Sequence, residues 1–299
     1  TYFVGRGDQA WADAHPEQRT RAFLMSQRTP AQTRGPLAIP LMSGWFADQV
    51  TPDLDCDLER WWQVIDRTSG EVVPRSDWSV RGEGTATEVV IADALPGHVY
   101  TAGFLAVQTW DQTQMYNYLT NDWADDPTRI KESPYDVRHP ETWEHVRAAL
   151  DVWLADHPEV DVVRFTTFFY HFTLVYDEQA RERFVDWFGY SASVSVPALE
   201  AFEAEYGYLL TPEDFIDEGF YNSPFRPPRR PFLDWIDFQH RFVTGRVAEL
   251  VDQVHARGKE AIMFLGDNWI GTEPYGPLFA FTGLDAVVGS VGSGATCRM

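Results

Sequence analysis

The chain has 299 residues, is 44% hydrophobic, and carries 45 acidic against 24 basic residues, for a net charge of -21. That length and apolar content can bury a large core. The charge excludes a non-specific polyanion binder, because no broad basic face is available to neutralise phosphates. It leaves room for a small phosphorylated ligand held by one or two arginines.

The two cysteines, Cys56 and Cys297, stand far apart and form no metal or redox spacing. No basic stretch is followed by an apolar core at the start of the chain, and no run is long and apolar enough to span a bilayer. A reduced, cytoplasmic protein with no membrane and no nucleic-acid partner is the expectation, with one long-range disulfide as the alternative. The chain begins at Thr1 and ends at Met299, straight after a strand-like run and a Gly/Ser/Thr loop. A piece of a longer protein is therefore expected.

In chain order, residues 1–36 are polar, and the Arg/Asp/Glu/Gln-rich stretch from Asp13 to Arg28 reads as a partly exposed helix. Leu37 to Met42 reads as a short strand leading into Trp45-Phe46. Trp61–Asp66 and Glu71–Val73 flank Arg-Thr-Ser-Gly and read as a hairpin with Gly70 in the turn. Thr87–Ala92 and Val99–Trp110 continue the strand character, with no helical crossover.

The period then changes. Thr142–Ala155 has apolar residues at Trp143, Val146, Leu150 and Leu154, a helical stripe. Asp161–Tyr170 reads as a buried strand, and Asp177–Phe188 as a second amphipathic helix. Ser195 is placed to cap a third helix, and Thr211-Pro-Glu-Asp has the cap-then-proline pattern of a fourth. Pro224–Pro231 is a rigid basic break, with Arg229-Arg230 read as a solvated turn. Phe232–Ala256 is a long helix closed by Gly258. Strands at 260–265 and 285–291 follow, the second running into Gly-Ser-Gly-Ala-Thr.

Strands separated by helices favour a parallel α/β sheet, and the lengths suit a partial TIM-type (β/α)8 barrel with helical insertions and a strand-rich N-terminal part. Such barrels place catalytic groups just past the C-terminal ends of their strands. Asp267 stands there, two residues after the apolar run Glu260–Leu265, with Trp269, Glu273 and Tyr275 close behind. An aromatic platform, a second acid and a hydroxyl are what a sugar site uses. The alternative is that Asp267 only caps a turn.

Arg164 interrupts an apolar strand, so its guanidinium needs a buried ion pair, with Asp161 or Asp267, or an anion. Asn117 and Asn121-Asp122 follow a strand, on the expected functional rim, or simply make turns. The loop Gly292–Thr296 with Arg298 is suited to cradle a phosphate through backbone N–H groups, or is a flexible turn. No Walker or dinucleotide motif is present, nor a His/Cys metal cluster, and His171 reads as a packed strand residue.

Four segments together resemble the 1,3-β-galactosyl-N-acetylhexosamine (lacto-N-biose or galacto-N-biose) phosphorylases. They are Met115-Tyr-Asn-Tyr-Leu-Thr-Asn-Asp-Trp123, Asp161–Tyr170, Phe264–Tyr275 and Leu284-Asp-Ala-Val-Val-Gly-Ser290. Weaker similarity runs from about Ile39 through almost the whole chain. The resemblance implies that residues 1–299 are the N-terminal portion of a catalytic barrel, truncated at both ends and lacking C-terminal β-rich domains. It also implies a phosphate-site arginine before Thr1 and a homodimer as the full-length protein.

The implied reaction is inverting cleavage of the galactoside by inorganic phosphate, with no cofactor. Asp267 matches the family's acid, and Asn117 and Arg164 match positions of the sugar and phosphate site. Glu273 and Thr113 are expected to bind substrate, Thr113 next to the motif where acceptor preference varies, and Thr296 and Arg298 to bind phosphate. Galactosyl-1,4-rhamnose phosphorolysis, a barrel β-galactosidase using water and two carboxylates, and a non-catalytic galactoside-binding module are the alternatives.

Overall fold

Ala22-Phe23-Leu24-Met25 puts four apolar residues in a row, which a half-exposed helix cannot accommodate. In the computed structural model it lies in strand β1 (Arg21–Met25), buried at every position. The structure describes residues 1–5, 8–111, 128, 131–165, 168, 174–185, 193–223, 226–265 and 276–289. The helix expected over Asp13–Arg28 is thus replaced by a short helix α1 (Gln9–Ala14), a single 3-10 turn and β1. Arg21 sits in this buried strand because its Nε donates to Asp53 at 2.9 Å, a partner 32 residues away.

The hub of this region is β9 (Val99–Gln108), a ten-residue strand. It pairs antiparallel with β1, β2 (Thr29–Pro30), β4 (Val50–Pro52) and β5 (Gln63–Asp66). As expected, β5 turns back into β6 (Glu71–Val73), with Gly70 at φ +81° and Asp66 accepting from the Thr68 and Ser69 amides. A short helix α2 (Leu58–Trp61), capped by Asp57, leads into β5. A second antiparallel sheet has the order β3 (Gly35–Pro40), β8 (Glu88–Ala94), β7 (Trp78–Arg81).

The helical stripe falls where the period placed it, in α3 (Pro140–Asp156), with Trp143, Val146, Leu150 and Leu154 buried. After it, β10 (Val162–Phe165), β14 (Glu260–Leu265) and β15 (Ala286–Gly289) form a parallel sheet. Tyr2 bridges in parallel to Phe165 of β10, which also pairs with β14. Among the described residues the sheet is open; no closed barrel is seen.

Between β10 and β14, residues 177–185 are not helical. β11 (Leu174–Tyr176) and β12 (Glu182–Val185) make a hairpin whose turn is fixed by Asp177 accepting from the Gln179 and Arg181 amides. An aspartate that captures nearby amides offers the backbone a turn in place of a helix. β13 (Ser193–Val194) then joins β1. Ser195 caps α4 (Val196–Tyr206), and Thr211 with Asp214 closes a capping box on α5 (Pro212–Ile216). Arg229 is the N-cap of α6 (Arg230–His255) rather than part of a solvated turn. It lies 3.6 Å from Glu213 and 3.9 Å from Asp214, and Arg230 pairs with Asp234 at 2.7 Å. A short helix α7 (Gly276–Phe279) precedes β15.

Two hydrophobic cores result, and α6 enters both. At 26 residues it is about 39 Å long. Its first half gives Phe232, Trp235 and Phe238 to the core beneath the antiparallel strands. Its second half gives Val243, Val247, Leu250, Val251 and Val254 to the core of the parallel sheet. At the seam Arg138 stacks on Phe238 and Phe242 and donates to Gln239, whose amide reaches the Ser193 carbonyl. Burial lowers the Arg138 pKa to about 10, so the guanidinium stays charged at neutral pH.

The N-terminal edge of the parallel sheet is tied by side chains. Lys259 donates to the carbonyls of His157, Pro158 and Val160. Asp285 accepts from the Ala261 amide at 2.7 Å and contacts His255 at 2.9 Å. The amide contact, followed by His255, holds the Asp285 carboxyl below its ordinary value of 3.8.

Two predictions follow from these contacts. Trp235→Ala should cost about 3–5 kcal/mol and Leu250→Ala about 2–5 kcal/mol, each displacing one shared urea transition. Two transitions, with only one displaced per variant, would show that the cores unfold independently. For Asp285 the depressed folded-state pKa means that its stabilisation is present above the unfolded value and lost as pH falls through the folded one. The stability deficit of Asp285→Asn should therefore be seen at pH 7 and shrink in acid; a deficit independent of pH would contradict the assignment.

Candidate active site

Parallel strands all deliver the chain to the same edge. β10 ends at Phe165, β14 at Leu265 and β15 at Gly289, with Phe165 level with Met263 and Leu265 level with Gly289. Asp267 comes two residues after β14 and Glu273 eight; Thr296 and Arg298 come seven and nine residues after β15. These four, with Thr113, Asn117 and His171, lie outside the described residues. The strands β14 and β15 bring the chain to one edge immediately before two of the segments that sequence reasoning singled out.

Arg164 is described, and its setting differs from the buried one expected. β10 alternates, with Val163 and Phe165 buried and Val162 and Arg164 exposed. The buried pair packs in the core shared with α3 and α6. Arg164 is level with Ile262 of β14 and shares its face of the sheet, the face opposite those helices. Among the described residues, the apolar run around Arg164 thus has one covered face.

The segment that carries Thr113 and Asn117 follows the antiparallel strand β9, not a parallel strand. The described residues on either side of it are fastened. The Thr109 amide donates to the Gln49 carbonyl at 2.7 Å, and the Asp111 amide to the Glu132 carbonyl at 2.6 Å. Ser133 Oγ donates to the Thr109 carbonyl at 3.0 Å. Lys131 lies over the Trp110 ring at 4.5 Å and pairs with Asp48 at 2.6 Å.

The segment 44–50 that holds Thr109 also holds the hairpin that follows β10. Phe46 donates its amide to the Tyr176 carbonyl at 3.1 Å, and the Tyr176 amide donates to Gln49 Oε1 at 3.0 Å. Gln49 is 1% exposed, so its amide group is committed to this junction. Thr109, just after β9, and Tyr176 of β11 are therefore held by one segment. Sequence reasoning did not identify Gln49; the only local signal was the Trp45-Phe46 pair beside it.

A cavity of about 490 Å³ lies elsewhere, between the start of the chain and α3. Asp8 there accepts from Tyr135 Oη at 3.0 Å and contacts His145 Nε2 at 2.6 Å, while Trp11 stacks on His145 at 4.1 Å. Burial, then Asp8, pushes the Tyr135 hydroxyl pKa well up. These polar groups satisfy one another, which fits a structural role. Cys56 is a free thiol that donates to the Asp53 carbonyl, and burial moves its pKa up to about 12. Among the described residues no cluster of His, Cys, Asp or Glu is arranged to hold a metal ion, and no helix is long and apolar enough to cross a membrane.

Comparison with known proteins adds to this geometry. Residues 1–299 match the family model described as the lacto-N-biose phosphorylase N-terminal TIM barrel domain. The chain is 48% identical over 298 residues to the 1,3-β-galactosyl-N-acetylhexosamine phosphorylase of Bifidobacterium longum subsp. longum, covering 100% of this chain and 39% of that protein. A 1,3-β-galactosyl-N-acetylhexosamine phosphorylase of Lachnoclostridium phytofermentans is 48% identical over 299 residues, covering 100% of this chain and 41% of that protein. The D-galactosyl-β-1→4-L-rhamnose phosphorylase of the same organism is 36% identical over 296 residues, covering 98% of this chain and 40% of that protein. The chain thus spans about two-fifths of the length of these curated relatives.

Proposed function

The chain belongs to the family of the lacto-N-biose phosphorylase N-terminal TIM barrel domain, and from that premise we propose that it forms part of an inverting glycoside phosphorylase. The substrate is a β-1,3-galactosyl-N-acetylhexosamine, and the second reactant is inorganic phosphate. The observation that carries this reading is 48% identity, over the full chain, to relatives that bear that name. The rhamnose-specific relative stands further off at 36%, which favours an N-acetylhexosamine acceptor. In this reading the parallel strands belong to a (β/α)8 barrel, and further domains account for the remaining length of the relatives.

The chemistry asks for one acid. Hydrolysis with inversion needs a second carboxylate to activate water, whereas phosphate arrives already anionic and serves as its own nucleophile. Asp267 donates its proton to the glycosidic oxygen as the C1–O bond to the N-acetylhexosamine breaks. Phosphate forms its bond to C1 from the opposite face, so a β-galactoside yields α-galactose 1-phosphate. Asp267 must remain protonated near neutral pH, which calls for burial or a neighbouring carboxylate such as Glu273.

Arg164, Thr296 and Arg298 are assigned to phosphate, where charge-assisted hydrogen bonds both orient the nucleophile and relieve its repulsion from the acid's conjugate base. Asn117 and Glu273 are assigned to sugar hydroxyls, and Thr113 to acceptor choice. The reaction as written uses no organic cofactor or metal.

The test is cleavage of galactosyl-β-1,3-GlcNAc by the full-length protein, with and without phosphate. Product should form only with phosphate, and Asp267→Asn should lower kcat by about 10²–10⁴-fold with KM little changed. Free galactose released without phosphate would instead identify a β-galactosidase, and binding without turnover a non-catalytic module.

A further inference from the structure

Three departures from ordinary backbone geometry converge on one side chain outside the assigned site. The hairpin β11–β12 is irregular: Val175 pairs with Phe184 and Tyr176 with Glu182, which leaves Arg183 unmatched. A bulge of this kind re-aims the extra residue. The Arg183 guanidinium lies over the indole of Trp45, 3.6 Å from the ring centroid, and Nη1 donates to the Gly44 carbonyl at 2.6 Å.

Gly44 has φ +80°, and a Cβ there would stand 2.9 Å from Arg183 Nη1 and 2.8 Å from Gln27 Nε2. Glycine is what lets the guanidinium and the Gln27 amide approach this backbone.

The third departure lies beneath Trp45. Tyr221 has φ +51°, an uncommon conformation for a bulky side chain. Its ring meets Trp45 edge-on at 6.3 Å, and its hydroxyl accepts from the Met25 amide at 3.1 Å. Trp45 in turn donates Nε1 to the Met25 carbonyl at 3.0 Å and is 2% exposed. Strained conformations persist where their surroundings over-determine them, and they cluster at functional positions. Arg183 is exposed as a residue, yet its guanidinium is desolvated enough to lower its pKa. Among the described residues its guanidinium touches a carbonyl and an aromatic face, which fix its direction, and Asp177 and Glu178 act on its charge.

The hairpin follows the C-terminal end of β10 in the chain, and it rests on the segment 44–50 that also holds Thr109, the residue after β9. We propose that Arg183 is a positioning residue: clamped between Gly44 and Trp45, it fixes the β11–β12 hairpin on the antiparallel sheet and so sets the hairpin's place beside the edge that does the chemistry. The consequence for turnover rests on the phosphorylase reading; the clamp does not.

The experiment compares Arg183→Ala, Arg183→Lys and Gly44→Ala with the parent, all as full-length proteins. It reads hydrogen exchange over 174–185, the melting temperature, and kcat and KM for disaccharide and phosphate. In Arg183→Ala, exchange in the hairpin should rise about tenfold or more with little change in melting temperature, and kcat/KM should fall about tenfold. The loss should fall on KM more than on kcat. Gly44→Ala should reproduce this pattern, and Arg183→Lys should recover only part of the loss, since an ammonium cannot lie flat on the indole.

Unchanged exchange in both Arg183→Ala and Gly44→Ala would overturn the clamp. Raised exchange with unchanged kcat/KM would overturn the positioning role. A parent that cleaves no galactoside in phosphate would defeat the phosphorylase reading and the role in turnover with it, and exchange alone would then decide the clamp.

Discussion

A single helix is held in two cores at once, and most of the architecture depends on that. Trp235 on α6 is fully buried among Phe202, Phe215 and Phe238, while Val247 and Leu250, three to four turns further on, are fully buried against the parallel sheet. A helix is stiff over such a length, so fixing one half sets the direction of the other. The antiparallel strands that the chain builds before reaching β10 are thereby tied to the sheet that carries the candidate chemistry. The seam between the cores is polar, with Arg138, Gln239 and Ser193 joined by hydrogen bonds, so the two hydrophobic clusters remain distinct while sharing their longest element.

That arrangement explains why the segment 44–50 matters. It belongs to the antiparallel part of the chain, yet its Phe46 amide, Gln49 side chain and Gln49 carbonyl bind segments that follow two different strands, β9 and β10. Parallel strands alone would bring Asp267, Thr296 and Arg298 close in sequence to one edge. The antiparallel region leads into the segment with Thr113 and Asn117, between Asp111 and Glu132, which are hydrogen-bonded to each other. In the proposed phosphorolysis, the acid and the phosphate ligands come from one region and part of the sugar site from the other. Any change in how 44–50 holds its partners should then register in substrate binding.

Much of the fold was legible wherever a local signal and the tertiary structure agree. The stripe Trp143, Val146, Leu150, Leu154 has the helical period and is the buried face of α3. Gly70 and the Thr211-Pro-Glu-Asp sequence mark a turn and a helix start whose geometry is local. The failures come from side-chain partners, some distant in sequence and some local, that the hydrophobic period does not show. Arg21 looks like a helix-surface residue until Asp53, 32 residues on, neutralises it inside a strand. Asp177-Glu-Gln-Ala-Arg181 looks helical by composition, but the Asp177 carboxylate captures two amides and turns the chain. Arg229 looks solvated until Glu213 and Asp214 are folded against it, while Arg230 is indeed exposed, with Asp234 beside it. For the candidate site, the strand that ends two residues before Asp267 was readable, whereas the antiparallel pairing of the strand that precedes Asn117 was not. Neither was the bulge that aims Arg183.

The most direct test of the central claim is the anomeric configuration of the first product, followed by NMR as the full-length protein acts on galactosyl-β-1,3-GlcNAc in phosphate. In-line attack by phosphate with a single acid predicts galactose 1-phosphate with α configuration from the outset. A β-configured phosphate would require a covalent intermediate on a second carboxylate, and free galactose would mean that water is the nucleophile; either result would contradict the account.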